Sequence, residues 1–180
     1  QNWIENNPLG FGNGWEPYPS SLRIVNWVKW FLLDLKSNNN INQMWLDSLA
    51  IQTRFLSQNL EYHLLGNHLF ANAKALVFSG LFFKGEEADL WYQLGISIIN
   101  RELSEQVLSD GGNFELSPMY HAIFLEDLLD LVNIHQAYNK SSPDNLENKI
   151  IQMLEWLKVM CHPDKEIAFF NDSTLGIAPS

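Results

Sequence analysis

One stretch of the sequence, from Asn59 to Phe83, constrains the fold most, because it combines helical periodicity with an unusual polar content. Its apolar residues recur at the three- and four-residue spacing that places them on one face of an α-helix. Five polar side chains share the same few turns: His63, Asn67, His68, Asn72 and Lys74. Burying such groups without hydrogen-bonding partners costs about 1–3 kcal/mol each. We therefore predict a buried helix whose polar residues bind either one another or a ligand.

The rest of the chain also has the patterning of long helices. Its 180 residues are 46% hydrophobic and 13% aromatic, enough for one folded domain with a substantial core. Helical spacing predicts further helices after a cap at Ser20 or Ser21, around Met44 to Leu56, from Glu86 to Leu108, from His121 to Tyr138 and from Leu146 to about Met160. Long helices joined by short turns indicate an all-α bundle or toroid.

Composition excludes several classes of partner. A net charge of −10 argues against nucleic acid and against an anionic membrane surface. No apolar run approaches the roughly 18–20 residues that a membrane span requires. His135 and His162 lack the ligand spacing of a zinc site, and no phosphate-binding or dinucleotide motif is present. We expect no nucleic acid, no membrane span, no metal and no cofactor in this chain, which reads as a piece of a longer protein.

The polar cluster of the first stretch has two interpretations. On a continuous helix His63, Asn67 and Lys74 would share one stripe, with His68 and Asn72 as an adjacent pair. Such donors could bind an anionic or carbonyl group of a ligand. They could equally satisfy one another and nearby backbone, which is the usual role of buried His and Asn.

A second candidate site lies in "DGGNFELSPMYH", from Asp110 to His121. The Asp-Gly-Gly run predicts a tight turn, and Ser117-Pro118 precedes a helix start. Tyr120 and His121 at that start could form a proton-transfer pair or could simply anchor the helix. Glu115 in the same loop could bind a sugar hydroxyl or face water.

An acidic cluster on the following helix raises the question of a glycosidase pair of carboxylates. Glu126 and Asp127 are sequence neighbours, which point about 100° apart on a helix and cannot flank one glycosidic bond. A solvated helix face is the simpler interpretation of this cluster, which includes Asp130. Glu115 with Asp127 is the one pair of carboxylates that a hydrolase mechanism could use.

Three stretches together resemble the heparinase II/III family of polysaccharide lyases. They are "WEPYPSSLRIVNWVKW", "NLEYHLLGNHLFANAKAL" and "DGGNFELSPMYH" followed by "LEDLLDL". The resemblance extends from about Trp15 to Pro179 and implies an incomplete (α/α) toroid of antiparallel helix pairs, followed by a β-sandwich domain that this chain lacks. Residues 1–165 are then expected to form part of the toroid. Residues 166–180 would be a connector or a first strand leading to the sandwich.

The resemblance also implies an activity and roles for individual residues. Similar enzymes cleave uronic-acid-containing glycans by β-elimination, with an Asn or His that neutralises the uronate carboxylate and a Tyr that moves protons. Asn67 or His68 matches the first position, Tyr120 matches the second with the acid role preferred, and His121 is a further candidate. Substrate-binding roles are expected for His63, Lys74 and Glu115.

The expected partners are an acidic polysaccharide and the β-sandwich domain of the same chain. The net charge of −10 fits a weakly charged uronan better than a densely sulfated glycan. The resemblance suggests a bacterial periplasmic or cell-surface location. A lyase-like toroid that binds glycan for surface-polysaccharide assembly without cleaving it is the alternative function, and a glycoside hydrolase is a third.

Overall fold

A computed structural model describes residues 2–37, 41–64, 66–174 and 176–178, and all regular secondary structure among them is helical. Two isolated β-bridges, Val107 with Asn113 and Cys161 with Ile167, are the remaining pairings in these residues. The expectation of an all-α fold is confirmed. The elements are α1 (Asn2–Asn6), a 3₁₀ turn (Asn13–Trp15), α2 (Pro17–Ser37), α3 (Gln43–Gln58), α4 (Asn67–Phe82), α5 (Glu86–Gln106), α6 (Pro118–Ala137) and α7 (Leu146–Val159).

The chain divides into two compact units, Gln1–Ile98 and Ile99–Ser180. The boundary falls inside α5, so the first part of this helix belongs to the first unit and the last part to the second. Over the described ranges, none of the helices combines the length and the apolar character that crossing a membrane demands.

Helix α4 is the core of the first unit. Every residue from Leu69 to Leu81 is buried, and α4 packs against both α2 and α3. Helix α2 contributes Ile24, Val28 and Phe31 to this core. Burying a large apolar side chain is worth about 1.5–3 kcal/mol, so this three-helix contact supplies much of the stability of the unit.

Two glycines allow α4 and the first part of α5 to approach closely. A Cβ atom at Gly80 would lie 2.6 Å from the backbone nitrogen of Tyr92. A Cβ atom at Gly95 would lie 2.8 Å from the carbonyl oxygen of Ala73. Non-bonded carbon contacts are normally about 3.5–4 Å, so any larger residue at either position would push the two helices apart.

Helix α4 begins at Asn67, and the prediction of one continuous helix from Asn59 is wrong. Gly66 has a φ of 89°, a left-handed conformation that glycine adopts easily and that interrupts helical geometry. Residues 59–64 form a loop with a turn instead. His63 therefore lies outside the helix and does not share a helical stripe with Asn67 and Lys74.

Helix α2 begins at Pro17, and the prediction of a cap at Ser20 or Ser21 is wrong. Proline is well suited to the first turn of a helix, because its missing N–H would have no intrahelical partner there. Ser20 and Ser21 consequently lie inside the helix, where both are buried.

The second unit is organised by the packing of α6 against α7. Ser117 caps α6 with its side chain, and α7 starts at Leu146 as predicted. The predicted Gly111-Gly112 turn is present, with a φ of 89° at Gly111. Its backbone lies against α7, since a Cβ atom at Gly112 would be 2.9 Å from Nε1 of Trp156.

Candidate functional site

The first group of predicted site residues lies where α4 begins, in the first unit. Asn67 and His68 are the first two residues of the helix, and both are half-buried. The preceding residue, Gly66, supplies no side-chain cap. The first N–H groups of a helix lack intrahelical partners, and together with the helix dipole they favour a negatively charged group at this end.

A buried glutamate that the sequence analysis did not single out organises this cluster. Glu61 is 7% exposed, and its backbone nitrogen donates to Oδ1 of Asn72 at 3.0 Å. Its Oε2 accepts from Nδ2 of Asn72 at 3.0 Å, and its Oε1 lies 3.0 Å from Nδ1 of His68. Asn72 also donates to Oγ of Ser21 at 3.1 Å. The buried members of the cluster thus satisfy one another, as the structural interpretation of the sequence proposed.

Tyr18, in the first turn of α2, covers the other side of the cluster. Its ring stacks on the imidazole of His68, with ring centroids 4.4 Å apart and planes at 25°. Nδ2 of Asn67 donates to the Tyr18 hydroxyl at 3.5 Å, a long hydrogen bond. The side chain of His68 is 37% exposed, and in the described part of the chain its Nε2 has no hydrogen-bonding partner.

The two other substrate-binding predictions of this unit have different outcomes. His63 is exposed and lines a pocket of about 450 Å³ together with Trp15, Phe55 and neighbouring loop residues. Lys74 is 6% exposed, with its Nζ 5.7 Å from the ring centroid of Phe78. Since a buried amine offers no surface to a polysaccharide, the structure does not support a substrate-binding role for Lys74.

The second group of predicted residues lies at the beginning of α6, in the second unit. Tyr120 is half-buried, and its hydroxyl lies within electrostatic range of the Asp172 carboxylate. Burial raises the pKa of the Tyr120 phenol, and the negative charges of Asp172 and Glu115 raise it further. The phenol therefore stays protonated at neutral pH and can serve as a proton donor. The predicted loop residue Glu115 thus lies within electrostatic range of Tyr120.

Residues 171–173 are held against the first turn of α6. Oγ of Ser117 accepts from the backbone nitrogen of Tyr120 at 3.2 Å and donates to the carbonyl oxygen of Asp172 at 2.9 Å. The hydroxyl of Ser173 lies 3.0 Å from the same Oγ, and Nδ2 of Asn171 donates to the carbonyl oxygen of Leu116 at 2.6 Å. These contacts keep Asp172 next to Tyr120.

His121 has no free ring nitrogen. It is fully buried, and its Nδ1 accepts from the backbone nitrogen of Asn113 at 3.2 Å while its Nε2 donates to the carbonyl oxygen of Met153 at 2.9 Å. Its ring stacks on Trp156 at a centroid distance of 4.4 Å. Burial lowers the pKa of His121, which keeps the imidazole neutral. These contacts join the loop before α6 to α7, so the structure does not favour His121 as a catalytic candidate.

The acidic residues of α6 do not form an ion-binding group. Glu126 is exposed, and Asp127 and Asp130 are partly exposed. Within residues 2–37, 41–64, 66–174 and 176–178, no three His, Cys, Asp or Glu side chains come together as metal ligands.

Sequence reasoning missed Glu61, Tyr18 and Asp172 as neighbours of the predicted residues. One available signal was Gly66 directly before Asn67, since a glycine before a polar pair is typical of a helix start and places Glu61 in a loop rather than on the helix. No comparable local signal points to Asp172, which meets Ser117 across 55 residues of chain.

In the residues that the structure describes, all regular secondary structure is helical, and Asn67, His68 and Tyr120 lie at the starts of α4 and α6. The family model for the Heparinase II/III N-terminus matches residues 1–178, and the chain belongs to this family. The expectation that this all-α chain is the toroid portion of such a protein is confirmed, since the fold matches the helical region of heparinase structures.

Similar proteins include heparin-sulfate lyases of known sequence and structure. The chain is 30% identical over 186 residues to the heparin-sulfate lyase of Pedobacter heparinus, covering 95% of this chain and 27% of that protein. It is 30% identical over 165 residues to the heparin-sulfate lyase of Bacteroides stercoris, covering 89% and 25%. A crystal structure of heparinase III is similar with a TM-score of 0.75 and 25% identity, covering 99% of this chain and 28% of that one. The chain thus spans about a quarter of the length of the curated relatives that it matches.

Proposed function

We propose that the protein to which this chain belongs is a polysaccharide lyase that cleaves a uronic-acid-containing glycan by β-elimination. The relatives that the chain matches, over about a quarter of their length, are heparin-sulfate lyases, and this supports a lyase reaction. The observation that carries the proposal is the start of α4, where Asn67 and His68 stand at a helix end without a side-chain cap. Such a helix end suits a carboxylate.

The chemistry explains why donors are needed at this position. The proton on C5 of a uronate is too weakly acidic to remove unless the adjacent carboxylate charge is offset as negative charge develops. The amide of Asn67, the first N–H groups of α4 and the protonated form of the His68 imidazole are the donors that would offset it. One preorganised donor of this kind is typically worth about 3–4 kcal/mol of transition-state stabilisation.

The leaving oxygen needs a proton, and Tyr120 is the proposed donor. A base takes the C5 proton, the electron pair of the C5–H bond forms the C4–C5 double bond, and the C4–O bond breaks. The leaving oxygen then receives the phenolic proton of Tyr120. The negative surroundings of Asp172 and Glu115 support the acid role over the base role, because they raise the pKa of the phenol and disfavour the phenolate.

The proposed substrate is a weakly charged uronan or exopolysaccharide. A net charge of −10 on this chain opposes dense sulfation of the substrate, even though local donors at α4 favour a single carboxylate. The elimination requires only proton transfer and charge neutralisation, so we propose no cofactor for this part of the protein. A periplasmic or cell-surface location is proposed, since bacterial enzymes would meet such polysaccharides there.

The test uses the full-length protein with a panel of uronate polysaccharides and follows the ultraviolet absorbance of the C4–C5 double bond. We expect wild-type protein to produce the absorbance, and Tyr120→Phe and Asn67→Ala to lose about 10²–10³-fold in kcat. Matched controls are Tyr138→Phe, at the other end of α6, and Asn26→Ala, on the exposed face of α2, which should retain activity. Glycan binding without unsaturated product would favour the assembly function. New reducing ends without absorbance would mean hydrolysis.

A further inference from the structure

The orientation of the Asn72 side chain is determined by its partners. Its Oδ1 receives the backbone N–H of Glu61 at 3.0 Å, and a backbone N–H can only donate. Nδ2 must therefore be the atom that faces Oε2 of Glu61 at 3.0 Å and Oγ of Ser21 at 3.1 Å. Rotating the amide by 180° would place the NH₂ group of Asn72 against the backbone N–H of Glu61, and two donors cannot form a hydrogen bond.

This orientation in turn determines the proton on His68. A carboxylate has acceptors only, and Oε2 of Glu61 is already engaged by Asn72. Its Oε1 lies 3.0 Å from Nδ1 of His68, so Nδ1 must carry a hydrogen to make this contact. In the neutral imidazole the other nitrogen, Nε2, is then an acceptor, and in the imidazolium it is a donor.

The contacts of Glu61 and His68 hold the cluster in one arrangement, which the selection of a single imidazole tautomer requires. Glu61 is held at both its backbone and its carboxylate by one fully buried residue, Asn72. The plane of the imidazole is held by the ring of Tyr18, stacked at 4.4 Å. The His68 side chain nevertheless remains 37% exposed, so a ligand can reach the ring.

We propose that Glu61 is a positioning residue that fixes His68 as the Nδ1–H tautomer and presents Nε2 to the uronate substrate. This inference rests on the proposed function for the identity of the ligand. Neutral His68 then offers a lone pair that can accept a proton or a hydrogen bond from the sugar. Protonated His68 offers a charged N–H to the carboxylate from the same position.

The first experiment measures the tautomer itself and needs no activity. Full-length protein labelled with ¹⁵N in histidine only is compared with its His68→Asn variant, and the difference spectrum assigns the two His68 nitrogens. We expect a protonated Nδ1 and an unprotonated Nε2 at a pH where the ring is neutral. The reverse assignment in the wild-type protein would overturn the proposal, whether or not the protein proves to be a lyase.

The second experiment replaces the carboxylate by an amide in the full-length protein. In Glu61→Gln one oxygen becomes an NH₂ group, which must face either the Nδ2 donor of Asn72 or Nδ1 of His68. The second arrangement forces the Nε2–H tautomer. An amide that leaves a catalytic histidine in the wrong tautomer lowers kcat by about 10⁴-fold in serine proteases, so we expect kcat to fall by about 10²-fold or more, with a much smaller change in KM.

The matched control is Glu102→Gln on α5. Glu102 is also 7% exposed and also hydrogen-bonds to a neighbouring amide, Gln106, at 2.9 Å, but it does not contact any proposed site residue. Full kcat in Glu61→Gln, or an equal loss in Glu102→Gln, would overturn the positioning role. If wild-type protein forms no unsaturated product, the proposed function fails while the NMR assignment still decides the tautomer. The wild-type spectrum also decides it if Glu61→Gln does not fold.

Discussion

Asn72 offers the sharpest test of the buried network, because one side chain carries three hydrogen bonds and none of its surface is exposed. Replacement by alanine would leave the backbone N–H of Glu61 and the hydroxyl of Ser21 each without one partner. It would also remove the donor to one carboxylate oxygen of Glu61.

The expected cost follows from the three bonds. The two neutral hydrogen bonds contribute about 1 kcal/mol each, and the bond to the carboxylate about 1.5–3 kcal/mol. Alanine recovers up to about 0.7 kcal/mol, because it has a higher helix propensity than asparagine. We therefore expect the loop of residues 59–64 to lose about 3–4 kcal/mol of local stability, which corresponds to opening roughly 10²–10³-fold more often.

Hydrogen–deuterium exchange of the full-length protein measures this opening directly. The amide hydrogen of Glu61 is itself the one bound to Asn72, so its exchange rate reports the broken contact. Asn26→Ala on the exposed face of α2 is the control, since surface substitutions usually change stability by less than about 0.5 kcal/mol.

A change of less than tenfold in the Glu61 exchange rate would refute the reasoning. It would mean that the loop is already open at low cost in the wild-type protein, and that Asn72 does not hold Glu61. The same result in both Asn72→Ala and Asn26→Ala would show a general effect on helix stability rather than the loss of this network.

Two further predictions concern the other parts of the chain. Asp172→Asn removes a negative charge that raises the pKa of Tyr120, so this pKa should fall. With Tyr120 as the acid, activity declines as pH rises through its pKa, and the alkaline limb of the kcat/KM profile should move to lower pH; an unmoved limb would contradict this. Gly95→Ala should destabilise the first unit by about 1–3 kcal/mol, because its Cβ would lie 2.8 Å from the Ala73 carbonyl oxygen. Alanine ordinarily stabilises a helix by about 1 kcal/mol relative to glycine. An unfolding temperature of Gly95→Ala above that of the wild-type protein would therefore contradict the predicted destabilisation.

The helical fold could be predicted from sequence because its signals are local. Ser117-Pro118 marks the start of α6, and the predicted helix from Leu146 to about Met160 matches α7 at Leu146–Val159. The start of α4 was mispredicted because the apolar spacing continues through Leu60 and Leu64, which mimics a helix up to Gly66. A single left-handed glycine outweighed six residues of periodicity there.

The site was less predictable because spacing does not distinguish an open groove from an interior. Lys74 and His121 have the residue types of a catalytic site, yet both are buried and engaged within the fold. Asn67, His68 and Tyr120 also have residue types found in catalytic sites, but they lie at helix starts, where part of their surface stays exposed. Glu61 and Asp172 depend on how loops return to these starts, which no short sequence pattern encodes.

The hydroxyl of Ser117 caps α6 and also binds residues 172 and 173, and this double use sets an order of events during synthesis. Asp172 leaves the ribosome 52 residues after Tyr120. At about 5–20 residues per second, that interval lasts roughly 3–10 s. Helix α6 can form within microseconds of its own emergence. The acidic residue beside Tyr120 is added only when the later segment has been synthesised. The nascent chain therefore acquires the helix first and the acidic partner of Tyr120 seconds afterwards.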